Sequence, residues 1–355
     1  MRRLRLGVDA ANLLHDQRGI GRYVRSLLRH WLERRADSVA LTLLVPHVLV
    51  APVARRLAEN LQWPHVRVAR RHDRGAAPFD VIWYPWNGVT WTAPGVKVAT
   101  VHDVWPFASP SADPRIRGNE QRPFLTTARL AQRIITDSHF SKWEIVGHLA
   151  VDPARIDVIY PGVAERTPSV VPASFPGIAR YVLFVGETEG RKDLRTLIAA
   201  MRLLPEVLRR DTALVIAGKA VQTRETAGAV RTIVTGQVSD QRLASLYAGA
   251  AVFAFPSRYE GFGLPVLEAM RYGTPVVASS AASIPEAGGN AALYFCPGDS
   301  ARLAALLTQV LGDARLAARL ADAGRRRAGQ MSWHNCADQT LAVMERALND
   351  SLRAA

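Results

Sequence analysis

Cysteine is scarce in this sequence. Cys296 and Cys336 are the only two among 355 residues, which rules out a disulfide framework and fits a reducing, cytoplasmic setting. No Cys/His cluster has zinc-site spacing. Long apolar runs are missing too. The longest, "VALTLLVPHVLVAPVA" (39–54), holds two prolines and a histidine and falls short of roughly 20 residues, so it reads as a strand followed by a turn. "MRRLRLGVDAANLL" has Asp9 and Asn12 inside its apolar stretch, so a buried first strand explains it better than a signal peptide. There is no solenoid-length repeat. Lysine is rare, with four residues, and no D-x-D triplet occurs anywhere. A metal-bridged diphosphate held by such a motif is therefore not expected, and cationic side chains with helix dipoles must neutralise any leaving group.

What is present points to a globular enzyme. The chain is 48% hydrophobic and 21% charged, and it is long enough for two α/β domains at ~100–200 residues each. The net charge is +14, unevenly placed: residues 1–75 carry fifteen arginines against six acids. Such a face attracts nucleic acid, anionic lipid headgroups or a phosphorylated acceptor, although a general preference for arginine accounts for part of it. A nucleic-acid-binding protein is the weakest of these readings, because no helix-turn-helix, RRM or zinc signature accompanies the charge.

Strand-like runs alternate with helical patterns. "LRLGVDA", "ALTLLVP", "VRVAR", "DVIWYP", "VKVATVHD", "RIITDS" and "IDVIYPG" read as buried strands, then "RYVLFVGE", "TALVIAGK", "RTIVTGQ", "AVFAFPS" and "PVVASS". Between the two sets lies "GVAERTPSVVPASFPG" (162–177), rich in Pro, Ser and Gly and without helical period, as in a linker. The pattern predicts two Rossmann-like, doubly wound domains facing each other across a cleft, with ligands outside the C-terminal strand ends. From about Asp299 the chain reads as mostly helical.

The stretch "EGFGLPVLEAM" (260–270) places two glutamates around a permissive loop, after a strand and at the start of a helix. Gly261 and Gly263 tolerate positive φ and let a ligand reach the backbone. The helix start offers free N–H groups to an anion, and Glu260 and Glu268 offer acceptors to hydroxyls. A nucleotide sugar carries both kinds of group. The alternative is a strand–loop–helix corner with solvated acids.

Other segments could meet phosphate. Gly19-Ile20-Gly21 opens a helix with Ile20, Tyr23, Val24, Leu27, Leu28, Trp31 and Leu32 on its apolar face and Arg22, Arg25, Arg29 and Arg34 opposite. Val24 stands where a dinucleotide fingerprint has its third glycine, and there is no P-loop lysine, so phosphate or close backbone contact is the better reading. "KVATVHDVWPF" puts His102 and Asp103 at a strand's C-terminal edge. Trp83, Trp86, Trp91 and Trp105 cluster nearby and suit either sugar stacking or core packing. "FVGETEGRKDLRTLIAA" leads from a strand through a glycine turn to Arg191 and Lys192, a planar fork and a compact charge that suit a diphosphate.

In order, "GIGRY", "TVHDVWPF", "TDSHFSKWEI", "IDVIYPGV", "FVGETEGRKDL", "GQVSDQRLASLYAGA", "PSRYEGFGLPVLEAM" and "IPEAGGNAALYF" resemble the consensus of family-4 retaining glycosyltransferases of the GT-B fold. The resemblance implies an N-terminal acceptor-binding domain (1–165), a C-terminal donor-binding domain (166–333), and a last helix (334–355) packed back on the first. It implies that Glu268 holds the ribose hydroxyls, Glu260 the donor-sugar hydroxyls, and Arg191 and Lys192 the diphosphate. His102 would hydrogen-bond the transferred sugar. Gly186, Phe262, Gly263 and Leu264 would complete the donor site, and Val238, after Gly236 and Gln237, would border the base. Glu286 would lie at the pocket edge. Gly19 and Gly21, with Arg22, Asp103 and Trp105, would form the acceptor and phosphate loop.

Two departures stand out: Glu187 where many members have Arg, and Asp193 where Asn is usual. No metal or other cofactor is implied. The implied reaction is front-face transfer with retention, in which the leaving phosphate oxygen takes the acceptor proton and domain closure excludes water. The expected donor is GDP-mannose or a related GDP-deoxyhexose, with UDP-sugars as the alternative. The expected acceptor is a lipid-linked cell-surface glycan, which suits peripheral contact with an anionic membrane at the cytoplasmic face. A nucleotide-sugar epimerase or a phosphorylase on the same architecture is the runner-up.

Overall fold

The computed structural model describes residues 3–16, 19–60, 63, 66–71, 79–164, 170–187, 190–218 and 230–354. Residues 165–169 of the expected linker, Thr188 and Glu189 of the glycine turn, and Arg2, Arg18 and Arg74 of the basic N-terminal region lie outside the described residues. Contacts divide the chain into two compact units, Met1–Gly162 with Ser332–Ala355, and Val163–Met331.

The first unit alternates strand and helix: β1 (Leu4–Asp9), α1 (Gly19–Arg34), β2 (Val39–Val45), α2 (Val50–Asn60), β3 (Arg67–Arg70), β4 (Val81–Tyr84) and β5 (Val96–Thr100). It continues with α3 (Trp105–Ala108), α4 (Pro114–Leu130), β6 (Arg133–Thr136), α5 (His139–Leu149) and β7 (Ile156–Val158). The strands pair in parallel in the order β3-β2-β1-β4-β5-β6-β7. All of β4 and most of β1 and β5 are buried, as expected for Val/Ile-rich strands covered on both faces.

In the second unit, β8 (Arg180–Val185) leads to α6 (Leu194–Arg202), α7 (Glu206–Asp211), β9 (Thr212–Ala217), β10 (Thr232–Gly236), α8 (Asp240–Gly249) and β11 (Val252–Phe255). Then come α9 (Leu264–Arg271), β12 (Val276–Ser279), α10 (Ile284–Gly288), β13 (Leu293–Phe295), α11 (Ser300–Gly312) and α12 (Ala314–Gly329). Its parallel sheet runs β10-β9-β8-β11-β12-β13, so each unit reverses strand order beside its own first strand. Loops leaving the C-terminal ends of the strands at such a reversal diverge and leave room for a ligand.

The last helix, α13 (Trp333–Ala354), belongs to the first unit and packs on α1, β5 and β6. Trp31 of α1 is fully buried and its indole N–H donates to the Ala337 carbonyl at 3.0 Å. Cys336, Ala337, Leu341, Val343 and Met344 join the same core. Burying side chains the size of Leu341, Val343 and Met344 contributes about 1.5–3 kcal/mol each.

Two local expectations need correction. After β2 the chain does not simply turn: a short 3-10 turn at His47–Leu49 enters α2, with Pro52 in its first turn, where a missing N–H costs nothing. The segment "ALYF" supplies a sixth strand, β13, to the second sheet. Among the described residues no helix is long and apolar enough to cross a membrane.

Candidate active site

The reversal in the second sheet lies between β8 and β11, and the loops after these two strands carry Arg191, Lys192 and Glu260. Gly186 follows β8 directly with φ of +149°, a conformation that favours glycine. The chain then closes into a 3-10 turn at Gly190–Lys192. Lys192 Nζ donates to Glu260 Oε1 at 2.6 Å, and Arg191 Nη1 lies 3.8 Å from Oε2. Glu260 follows β11 and is only 7% exposed, so its charge needs these cations. The Ser257 hydroxyl donates to Glu260 Oε1 at 2.5 Å, and the Ser283 hydroxyl donates to the Glu260 carbonyl at 2.7 Å. Arg258 N–H donates to the Arg191 carbonyl at 2.7 Å, which ties the two loops together.

Asp193 explains why Asp can replace the usual Asn. It is left-handed at φ of +47°, a region that both Asn and Asp tolerate, and it starts α6. Its Oδ2 accepts from Thr196 Oγ1 at 2.7 Å and from Arg258 Nε at 2.8 Å.

Gly263 caps the start of helix α9, left-handed at φ of +105°, with Pro265 in the first turn. Phe262 is buried, and Leu264 is half-buried at the helix start. Glu268 is half-buried on this helix, and its Oε2 accepts from the Tyr247 hydroxyl at 3.1 Å. Val238 lies half-buried in the turn between β10 and α8. Glu286 lies in the first turn of α10, whose Glu286 and Ala287 carbonyls both accept from the Arg327 guanidinium.

In the first unit, the two glycines after β1 differ. A Cβ on Gly21 would fall 1.9 Å from the Asp16 carbonyl oxygen, whereas one on Gly19 would meet no described atom within 4 Å. Gly21 is therefore required by packing, and Gly19 leaves open backbone. Arg22 follows, half-buried. Asp103 Oδ1 accepts from the Trp105 N–H at 3.0 Å and shapes the start of α3. Of the four clustered tryptophans, Trp83 and Trp91 are core residues, while Trp86 and Trp105 are half-buried.

His102 is buried, with both ring nitrogens engaged. Nδ1 lies 2.7 Å from Asp137 Oδ2, and Nε2 lies 3.1 Å from the Pro85 carbonyl. Burial pulls the imidazole pKa down, but the Asp137 charge and hydrogen bond, with the Pro85 carbonyl and Asp103, outweigh it and hold the value above the ordinary one.

Sequence reasoning singled out Lys192, Arg191 and Glu260, and the fold brings them together. It did not single out Ser257, Tyr247 or Asp137, the partners of Glu260, Glu268 and His102. Ser257 stands three residues before Glu260 in "PSRYEG", a local signal that could have pointed to it. Tyr247 and Asp137 meet their partners across 21 and 35 positions, which no spacing rule reveals.

Comparison with known proteins matches these two sheets to two family descriptions. Residues 172–327 match the glycosyl transferases group 1 family, and residues 17–166 match Glycosyltransferase Family 4. The chain is 34% identical over 264 residues to the O-antigen chain mannosyltransferase B of Escherichia coli, covering 69% of this chain and 68% of that protein. It is also 34% identical over 232 residues to the MMP alpha-(1->4)-mannosyltransferase of Mycolicibacterium hassiacum, covering 62% of this chain and 56% of that relative's length. Among solved structures, Anabaena HepE in complex with UDP and glucose superposes with a TM-score of 0.71 at 18% identity, covering 97% of this chain and 100% of that one. By sequence, and with the paired parallel sheets of the GT-B fold, the chain belongs to the family-4 glycosyltransferases.

Proposed function

We propose that this chain transfers a mannosyl or related deoxyhexosyl group from a GDP-sugar to a growing, lipid-linked cell-surface glycan, with retention at the anomeric carbon and without a metal ion. The names of the two mannosyltransferase relatives support the sugar. One observation carries the chemistry: Lys192 and Arg191 converge on the buried Glu260 at the sheet's reversal point. A diphosphate seated there meets two cations, and its sugar meets a carboxylate already oriented by Ser257. Donor arrival then exchanges the Lys192–Glu260 contact for two others, ammonium to phosphate and carboxylate to sugar hydroxyls. Glu268, oriented by Tyr247, would take the ribose hydroxyls. Gly19 and Gly21 would bring backbone N–H groups to the phosphate and acceptor. A direct sugar contact by His102 would have to share its Nε2–H with the Pro85 carbonyl.

The step is balanced within the two substrates. The acceptor oxygen bonds to the anomeric carbon on the face from which the diphosphate leaves. The carbon–oxygen bond to phosphate breaks, and the acceptor's proton goes to that phosphate oxygen. Arg191 and Lys192 stabilise the charge that grows there, and fixed charges of this kind need no reorganisation during reaction.

The test is transfer by the purified chain from GDP-mannose and from UDP-glucose to a lipid-linked glycan, with and without a chelator. The reading predicts a glycoside from GDP-mannose, of the donor's anomeric configuration, undiminished by chelation. Transfer only from the UDP-sugar, or loss of activity on chelation, contradicts the corresponding part. Conversion of the sugar nucleotide with no acceptor present points to an epimerase instead.

A further inference from the structure

Asp137 follows β6 directly and His102 lies two residues beyond β5, so neighbouring parallel strands deliver them side by side. The partners of the two ring nitrogens, the Asp137 carboxylate and the Pro85 carbonyl, are both acceptors. A neutral imidazole has one N–H and satisfies one of them, whereas the imidazolium satisfies both. The surroundings favour the charged ring. Asp137 is 7% exposed and its Oδ1 has no hydrogen-bond partner among the described residues, so the carboxylate depends on His102 for compensation. Titratable groups that act on the pair from the surrounding elements include Tyr23 on α1, Asp103 in the same loop and Cys336 on α13. Tyr23 meets the His102 ring edge-on at 5.0 Å. Burial keeps both the Tyr23 hydroxyl and the Cys336 thiol protonated, and Asp103 adds negative charge, so none of the three is a cation.

The ring also holds a turn. The His102 backbone N–H donates to Asn87 Oδ1 at 2.7 Å, and Asn87 itself is left-handed at φ of +55°. Trp86, one residue earlier, donates its indole N–H to the Asp9 carbonyl at 2.7 Å, at the end of β1 where the glycine loop departs. The chain of contacts therefore runs from Asp137 through His102 and residues 85–87 to the first sheet's own reversal point between β1 and β4.

We propose that Asp137 is a positioning residue that holds His102 as a doubly protonated imidazolium, and that this cation fastens the Pro85–Asn87 turn to the end of the first sheet. The charge state stands independently of what the protein does; its bearing on transfer rests on the glycosyltransferase reading above. His102 then acts through fixed charge and fixed backbone, with its N–H groups already committed.

Histidine-selective nitrogen-15 NMR of the full chain reads the ring directly, with the His102 signal assigned by its loss in His102→Gln. The proposal expects both ring nitrogens to be protonated at neutral pH and to stay so above the usual histidine value of about 6.5. In Asp137→Asn the ring loses a proton at lower pH than in wild type, and Asp137→Glu restores part of the difference. The alkaline limb of the transfer–pH profile moves to lower pH in Asp137→Asn, while nucleotide affinity stays within about twofold. A wild-type ring with either nitrogen bare at neutral pH overturns the proposal without any variant, as does a His102 titration unchanged in Asp137→Asn. Absence of transfer from wild type, with the ring doubly protonated, contradicts the functional reading and leaves the charge state standing.

Discussion

Glu260 is a carboxylate with almost no access to water, and Lys192 sits on it at 2.6 Å. Removing one partner of such a pair is far more costly than replacing both, because the remaining charge keeps its desolvation penalty. Lys192→Met should therefore lower stability by about 3 kcal/mol in urea denaturation, with Arg191 at 3.8 Å limiting the loss. Lys192→Met/Glu260→Gln should recover most of that loss, and neither variant should transfer sugar. Equal and additive losses from the two single changes would show that the pair is not coupled. At this scale the sequence was readable where chemistry is local: the Arg-Lys pair after a glycine turn and the two glutamates around a glycine loop announce themselves. The partners of Glu268 and His102 do not. Tyr247 and Asp137 are an ordinary helical tyrosine and a strand-end aspartate until folding brings them to Glu268 and His102.

The glycines after β1 separate structural need from ligand contact at the scale of one element. Gly21→Ala sets a methyl 1.9 Å from the Asp16 carbonyl and should destabilise the chain, by the 1–3 kcal/mol typical of forced overpacking or more. Gly19→Ala meets nothing described and should leave the melting temperature unchanged. A loss of transfer in Gly19→Ala at constant stability marks that backbone as a ligand contact. Full activity removes it from the site. Short apolar runs bounded by Pro, Gly or Asp made the strands legible: "VIWY" and "VFAF" are buried at every position. Helix α2 was hidden because Pro46 and Pro52 look like turn residues, although a proline in the first helical turn costs no hydrogen bond. Strand β13 was hidden because it is three residues long and half-buried at two of them, so it carries too little pattern.

At the scale of the whole molecule, a seven-stranded and a six-stranded sheet sharing one pattern of strand order each present a reversal point, and the candidate polar residues follow strands at or near both. The net charge of +14 belongs to this scale as well. If the acceptor is lipid-linked, as proposed, the protein should float with vesicles containing anionic lipid at low salt and detach as salt shortens the Debye length below about 10 Å. Equal behaviour with neutral vesicles would contradict that contact. The central claim, however, is the donor site at Glu260 and Glu268, and calorimetry tests it most directly: GDP, UDP and ADP titrated into wild type and into Glu268→Ala, with a chelator present. The account predicts micromolar binding of GDP, weakened at least tenfold, or ~1.4 kcal/mol, in the variant. No nucleotide binding to wild type, or equal binding to both proteins, would contradict it.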